Sequence, residues 1–130
     1  MQTIHLVHDQ QESAATRRSF LEMSGFRVVP IRSSRECLER IALEKPDLAL
    51  IDVLIEGLNG FELCRRIRTT FEPAELPVIL GSTIYRSRIY RDEALRAGAQ
   101  RYLLRPVKLD ELVRQISEVL SGTCAASDPR

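Results

Sequence analysis

Polar and charged side chains follow four short apolar runs of the sequence, at the point where each run ends. In chain order the endings are His8-Asp9, Asp52, Ser82 and Arg105-Pro106. Short apolar runs separated by helical patterns indicate buried parallel strands, and parallel sheets bind ligands beyond the carboxyl ends of their strands. We therefore expect two carboxylates, a hydroxyl, an imidazole and a guanidinium to lie at one edge of a sheet. Such a set could hold a hard divalent cation and a phosphoryl group.

The elements that must position these side chains alternate strand and helix five times, which predicts a doubly wound α/β domain with a parallel sheet. The predicted strands are 3–8, 27–31, 47–52, 78–82 and 101–104. The first predicted helix, 10–24, has a thin apolar stripe made mainly of Ala14, Phe20 and Leu21. The second opens on a capping box at Ser33. The fourth is predicted over 83–97, and the fifth carries the clearest amphipathic pattern, over 109–120.

Composition indicates one globular domain and excludes several classes of function. The chain has 130 residues, 28% of them charged, and a net charge of +1, which gives no general attraction to nucleic acid or membranes. It lacks an apolar stretch of membrane-spanning length and a signal-peptide pattern, so we expect a cytoplasmic protein. We predict a domain over 1–121 and a flexible tail or linker over 122–130. Three cysteines in no metal-binding spacing predict two packing residues and a tail thiol: Cys37, Cys64 and Cys124.

The order and spacing of the four endings resemble the receiver domain of bacterial two-component response regulators, over roughly residues 3–121. The resemblance implies a flavodoxin-like receiver fold, with a five-stranded parallel sheet in the order 2-1-3-4-5 and five helices. In that family a pair of acids, an acceptor aspartate, a Ser or Thr, and a Lys before Pro occupy the four endings. Asp9, Asp52 and Ser82 match this pattern. His8 stands where the first acid of the pair is expected, and Arg105 stands where the lysine is expected.

The resemblance also implies a role for each position. Asp52, in the segment IDVLIEGLNG, would be the phosphoacceptor, and Mg²⁺ would be bound by Asp9, Asp52 and the backbone carbonyl of Leu54. Ser82 and Arg105 would contact the phosphoryl group. Tyr102 would be the aromatic side chain of strand five that changes position on activation. Helix or turn capping is the alternative role for Asp9 and for Ser82.

The two departures from the family pattern leave alternatives open. Imidazole is a poor Mg²⁺ ligand and His8 removes a negative charge, so Mg²⁺ binding is expected to be weakened. His8 could also be a tolerated substitution that hydrogen-bonds a neighbour, a pH-sensitive counter-ion of Asp52, or a ligand of a softer metal together with Asp9 and Asp52. Arg105 could clamp a phosphate in bidentate fashion or form a lasting ion pair with Asp52.

Two functions therefore compete, neither of them enzymatic. The first is a phosphorelay receiver, which accepts a phosphoryl group on Asp52 from a histidine kinase or phosphotransfer protein. It would signal to a downstream protein or output domain through the surface of helix four, strand five and helix five. The second is a degenerate receiver that acts as a phosphorylation-independent protein-interaction module, which His8, Thr83 and Arg105 favour.

The same surface is rich in arginine, which indicates an acidic protein partner, a homodimer that uses acids such as Asp110 and Glu111, or simply a solvated face. No aromatic platform accompanies the charge, so we expect no direct binding to nucleic acid. A flavodoxin-like cofactor binder would need a phosphate loop after strand one, and residues 9–16 do not supply one. The arginines are Arg86, Arg88, Arg91, Arg96 and Arg101.

Overall fold

Five strands and five helices alternate along the chain in the computed structural model, which describes residues 1–9 and 11–122 (for residues 11–13, the backbone alone). Their bounds are β1 (Thr3–Val7), α1 (Gln11–Met23), β2 (Arg27–Ile31), α2 (Ser34–Leu43), β3 (Leu48–Asp52), α3 (Gly60–Arg68), β4 (Val78–Ser82), α4 (Arg88–Ala97), β5 (Arg101–Leu104) and α5 (Leu109–Ser121). All strands pair in parallel, in the order β2-β1-β3-β4-β5. The predicted fold class and strand order are confirmed.

Apolar side chains on both faces of the sheet divide the core into two clusters. One cluster joins the sheet to α2, α3 and α4 through residues such as Cys37, Leu63 and Ala94. The other joins the opposite face to α1 and α5 through residues such as Leu21 and Ile116. Every residue of β3 and β4 is buried, which explains why these strands read as continuous apolar runs. The polar residues that end them are therefore held on rigid supports.

Helix α4 begins five residues later than the sequence predicts, at Arg88 rather than at 83. The Oγ of Ser82 accepts hydrogen bonds from the backbone N–H groups of Ile84 and Tyr85, both at 3.0 Å. A serine that bonds the backbone two and three residues on favours a turn over a helix. The β4–α4 connection, residues 83–87, is consequently a loop, and Ser82 does not cap α4.

The two cysteines within the core have the packing role expected of them. Cys37 and Cys64 are fully buried free thiols, and burial raises their pKa values to about 12 and about 11. Among the described residues, no helix combines the length and apolar character needed to cross a membrane. The predictions of a tail thiol at Cys124 and of a tail or linker over 122–130 concern residues that, from 123 on, lie outside the described part of the chain.

Candidate functional site

A cavity of about 170 Å³ opens beyond the carboxyl ends of β3 and β4, where the sequence predicts the site. Asp9, Asp52, Leu54, Ser82 and Arg105 all line it. Asp52 and Ser82 are the last residues of their strands, and Arg105 directly follows β5. The sheet topology thus brings together a proposed acceptor, a hydroxyl and a guanidinium that are far apart in sequence.

Two guanidinium groups hold the Asp52 carboxylate. Arg17 donates from Nη1 to Oδ1 at 3.4 Å and from Nη2 to Oδ2 at 3.3 Å. Arg105 places its Nη2 at 3.1 Å from Oδ1. Asp52 is 4% exposed and Arg17 is 6% exposed. Because an unpaired buried charge is costly, each of these buried groups depends on the other for its place in the fold.

The sequence does not reveal Arg17, although the pattern of α1 contains a signal. The buried face of this helix carries Ala14 and Leu21, and Arg17 lies between them at helical spacing. Its neighbour Arg18 faces outward and pairs with Glu22 at 3.1 Å. The apolar stripe of α1 is thin because a charged residue occupies one of its core-facing positions. Arginine is rarely buried, so sequence alone favours placing both arginines at the surface.

Arg105 is paired with Asp52 in this structure. Burial lowers the pKa of the Arg105 guanidinium, and the adjacent Asp52 acts in the opposite direction. The backbone of Arg105 is joined to the β4–α4 connection: its N–H donates to the carbonyl of Ser82 at 3.0 Å, and its carbonyl accepts from Nη1 of Arg86 at 2.8 Å. The Arg105–Pro106 peptide bond is cis.

His8 does not line the cavity around Asp52. It lies instead beside α1, in a separate cavity of about 450 Å³ that Ala14 and Arg18 also line. Burial lowers the pKa of the His8 imidazole, with Asp52 acting in the opposite direction. Its Nδ1 is buried without a hydrogen-bond partner in the described structure. The described residues contain no group of three or more His, Cys, Asp or Glu side chains able to hold a metal ion.

Tyr102 lies inward, against the β4–α4 connection. Its hydroxyl donates to the carbonyl of Tyr85 at 2.6 Å, and its ring centroid is 6.2 Å from that of Phe61. Burial raises the pKa of the Tyr102 hydroxyl, and a hydrogen bond with Ser82 acts against the increase. The loop that Ser82 caps is therefore also the loop that Tyr102 contacts.

Acidic side chains of α4 and α5 neutralise part of the charge of the arginine-rich surface. Arg101 donates to Gln115 at 2.6 Å and pairs with Glu118 at 3.5 Å, and Arg96 pairs with Glu93 at 3.4 Å. Large apolar side chains are also exposed in this region, among them Ile84 and Ile89. The surface formed by α4, β5 and α5 therefore combines basic and apolar groups.

Comparisons with known proteins agree with this architecture. Residues 4–117 match the family model described as the response regulator receiver domain. The chain is 33% identical over 120 residues to the response regulator MprA of Mycolicibacterium vanbaalenii, a match that covers 92% of this chain and 51% of that protein. It is 32% identical over 117 residues to the phosphate regulon transcriptional regulatory protein PhoB of Rhizobium meliloti, covering 90% and 51%. The chain thus spans about half the length of these curated relatives.

Solved structures give the same result. The BeF3-activated N-terminal receiver domain of Klebsiella pneumoniae RstA superposes with a TM-score of 0.84 at 28% identity, covering 91% of this chain and 97% of that one. A CheY-like receiver domain protein from Methanospirillum hungatei superposes with a TM-score of 0.86 at 26% identity, covering 98% and 99%.

Proposed function

The chain belongs to the response regulator receiver domain family, and within this family we propose that it is a protein-interaction module that works without phosphorylation of Asp52. The observation that carries the proposal is the pairing of both Asp52 oxygens with guanidinium groups, those of the buried Arg17 and the partly buried Arg105. A carboxylate attacks phosphorus through an oxygen lone pair, and here each oxygen already accepts from an arginine.

The strength of these contacts determines how far they raise the activation barrier for phosphoryl transfer to Asp52. Attack requires Asp52 to give up at least one ion pair, and losing a buried pair costs roughly 3–5 kcal/mol. A barrier raised by that amount slows a reaction by roughly a hundred-fold to a few thousand-fold. Thr83 adds to the obstacle, because its side chain stands at the wall of the same cavity.

The module would act through the surface of α4, β5 and α5. The arginines there favour an acidic partner, and exposed Ile84 and Ile89 supply apolar area for a contact. That partner would be a downstream protein, an output domain or a second copy of the chain. Residues 1–121 would form the receiver unit, with 122–130 as a tail or linker, in the cytoplasm.

Phosphoryl transfer to Asp52 from a histidine kinase or phosphotransfer protein is the second candidate. The observation that favours it is the cavity in which Ser82 and Arg105 flank Asp52, because a hydroxyl and a guanidinium are suited to bind phosphoryl oxygens. Under this alternative Arg105 would transfer from the carboxylate to the phosphoryl group, and Ser82 and Tyr102 would move with it.

Intact-protein mass spectrometry separates the two functions. The wild-type protein and Asp52→Asn are incubated with acetyl phosphate and Mg²⁺, beside an unrelated receiver domain known to react. We expect no phosphoryl adduct on wild type, and no chemical-shift change in the β4–α4 connection when beryllofluoride is added. An adduct on wild type that is absent from Asp52→Asn would refute the proposal and establish the phosphorelay function.

A further inference from the structure

We propose that Arg17 is the built-in cation of this site and takes the place of the divalent metal ion that the family is expected to bind. The inference deepens the proposed function, since it concerns the same carboxylate, but it makes its own claim about metal binding. Arg17 reaches Asp52 from α1, the helix that directly follows the Asp9 segment. It is distinct from Arg105, which stands where the family has its lysine.

The charge of the site supports this assignment. The family pattern has three acids and one lysine, so a divalent cation brings the site to neutrality. Here the charged groups are Asp9, Asp52, Arg17 and Arg105, which are neutral together without any metal. His8 stands at the position of the family's first acid, so this site lacks that negative charge. A divalent cation would leave this site with two uncompensated positive charges at low dielectric.

The available ligands do not fit Mg²⁺ either. Mg²⁺ needs oxygen ligands in a tight octahedron. Both Asp52 oxygens already accept from guanidinium groups, and His8 offers an imidazole where a carboxylate oxygen is needed. Asp9 is the remaining acid of the proposed set, and it is exposed. One exposed carboxylate and the Leu54 carbonyl cannot replace a carboxylate cluster.

Arg17 is buried at a cost that its ion pair with Asp52 offsets. Its place between Ala14 and Leu21 on the core face of α1 suits an apolar side chain. The Nε atoms of Arg17 and Arg105 are both buried and lack hydrogen-bond partners in the described structure, which is unfavourable. The carboxylate of Asp52 is the group that offsets these losses, and in return Arg17 supplies the positive charge that a buried carboxylate requires.

Restoring the family's charge pattern tests the inference. The variants are His8→Asp, Arg17→Met and the double variant, with Arg18→Met as the matched control on the outward face of α1. Methionine has an unbranched stem like arginine and suits a buried position. The measurement is the shift of thermal unfolding produced by excess MgCl2, since a ligand that binds the folded state raises its stability. Circular dichroism confirms that each variant is folded.

We expect MgCl2 to leave the unfolding temperature of wild type, His8→Asp and Arg18→Met unchanged beyond a general salt effect, which NaCl at equal ionic strength measures. The double variant should be stabilised by MgCl2, with Mg²⁺ bound at least ten-fold more tightly than by wild type, since two units of charge have changed. Saturable Mg²⁺ binding to wild type would overturn the inference. So would a folded double variant that fails to bind. If Arg17→Met prevents folding, Arg17→Leu provides the same test.

The inference about metal binding and the proposed function can be refuted independently of each other. A wild-type protein that accepts a phosphoryl group in the presence of EDTA would refute the proposed function and support Arg17 as the cation. A wild-type protein that binds Mg²⁺ but never accepts a phosphoryl group would refute the inference about Arg17 and support the proposed function.

Discussion

Asp52→Asn should destabilise this domain markedly. The substitution removes the negative charge that faces Arg17 at 3.3 Å and Arg105 at 3.1 Å, and leaves the buried Arg17 and the partly buried Arg105 without that counter-ion. Breaking a buried ion pair costs roughly 3–5 kcal/mol. Asparagine keeps one acceptor oxygen, and a hydrogen bond to a charged donor returns about 1.5–3 kcal/mol. We therefore expect a net loss of about 2 kcal/mol in the free energy of unfolding.

The direction of this change is as informative as its size. At a site with excess carboxylates, neutralising one relieves repulsion, so stability is unchanged or rises. At this chain length a loss of about 2 kcal/mol corresponds to a Tm lowered by roughly 6–10 °C. Urea unfolding at low and high salt measures the difference, which should persist in salt because buried pairs are poorly screened.

A matched control and a double variant complete the experiment. Asp92→Asn makes the same chemical change at an exposed position of α4 and should stay within about 0.5 kcal/mol of wild type. In Arg17→Met/Asp52→Asn the two losses should not add, with a coupling energy of about 1–3 kcal/mol. An Asp52→Asn protein as stable as wild type would show that the ion pairs do not hold the site together.

Two further predictions concern the supports of the site. The pKa of the buried His5 imidazole is lowered from 6.5 to about 4, first by burial and then by Arg40, so the unfolded chain takes up its proton first as pH falls. Stability should then decrease between pH 6.5 and 4 by roughly 2–3 kcal/mol, and urea midpoints should fall less steeply for His5→Leu; equal slopes would contradict this. Gly60→Ala would place a Cβ 2.9 Å from the Cα of Val53 and should cost about 1–3 kcal/mol, visible as a lower Tm; an unchanged Tm would refute the close contact.

The fold and most of the cavity lining could be predicted from the sequence, because both follow from periodic patterns. Strands β2, β4 and β5 have the bounds that the sequence predicts, and parallel topology then brings Asp52, Ser82 and Arg105 to one edge. The start of α4 could not be predicted in this way. It depends on the Ser82 hydroxyl, which bonds the backbone N–H groups that follow it, and a local competition of this kind leaves no periodic signal.

The burial of Arg17 and the surroundings of His8 could not be predicted from the sequence for a different reason. An arginine on α1 is ordinarily a surface residue, and only the three-dimensional partner, Asp52, makes its burial favourable. His8 follows the same strand as the expected acid but turns toward α1 and lines another cavity. Which side of a strand end a residue faces is decided by packing beyond the strand, where the alternation of a sheet no longer applies.

The hydrogen bonds around Arg105 have a consequence for protein engineering. The backbone of Arg105 is bonded to Arg86 and to Ser82, its side chain holds Asp52, and the Tyr102 hydroxyl bonds the same loop. A chimera that grafts α4 and β5 onto another receiver scaffold would sever these links unless the loop and the arginine are transferred as a block. Residues 82–105 are therefore the natural unit of exchange when the α4–β5 region is moved between receiver domains.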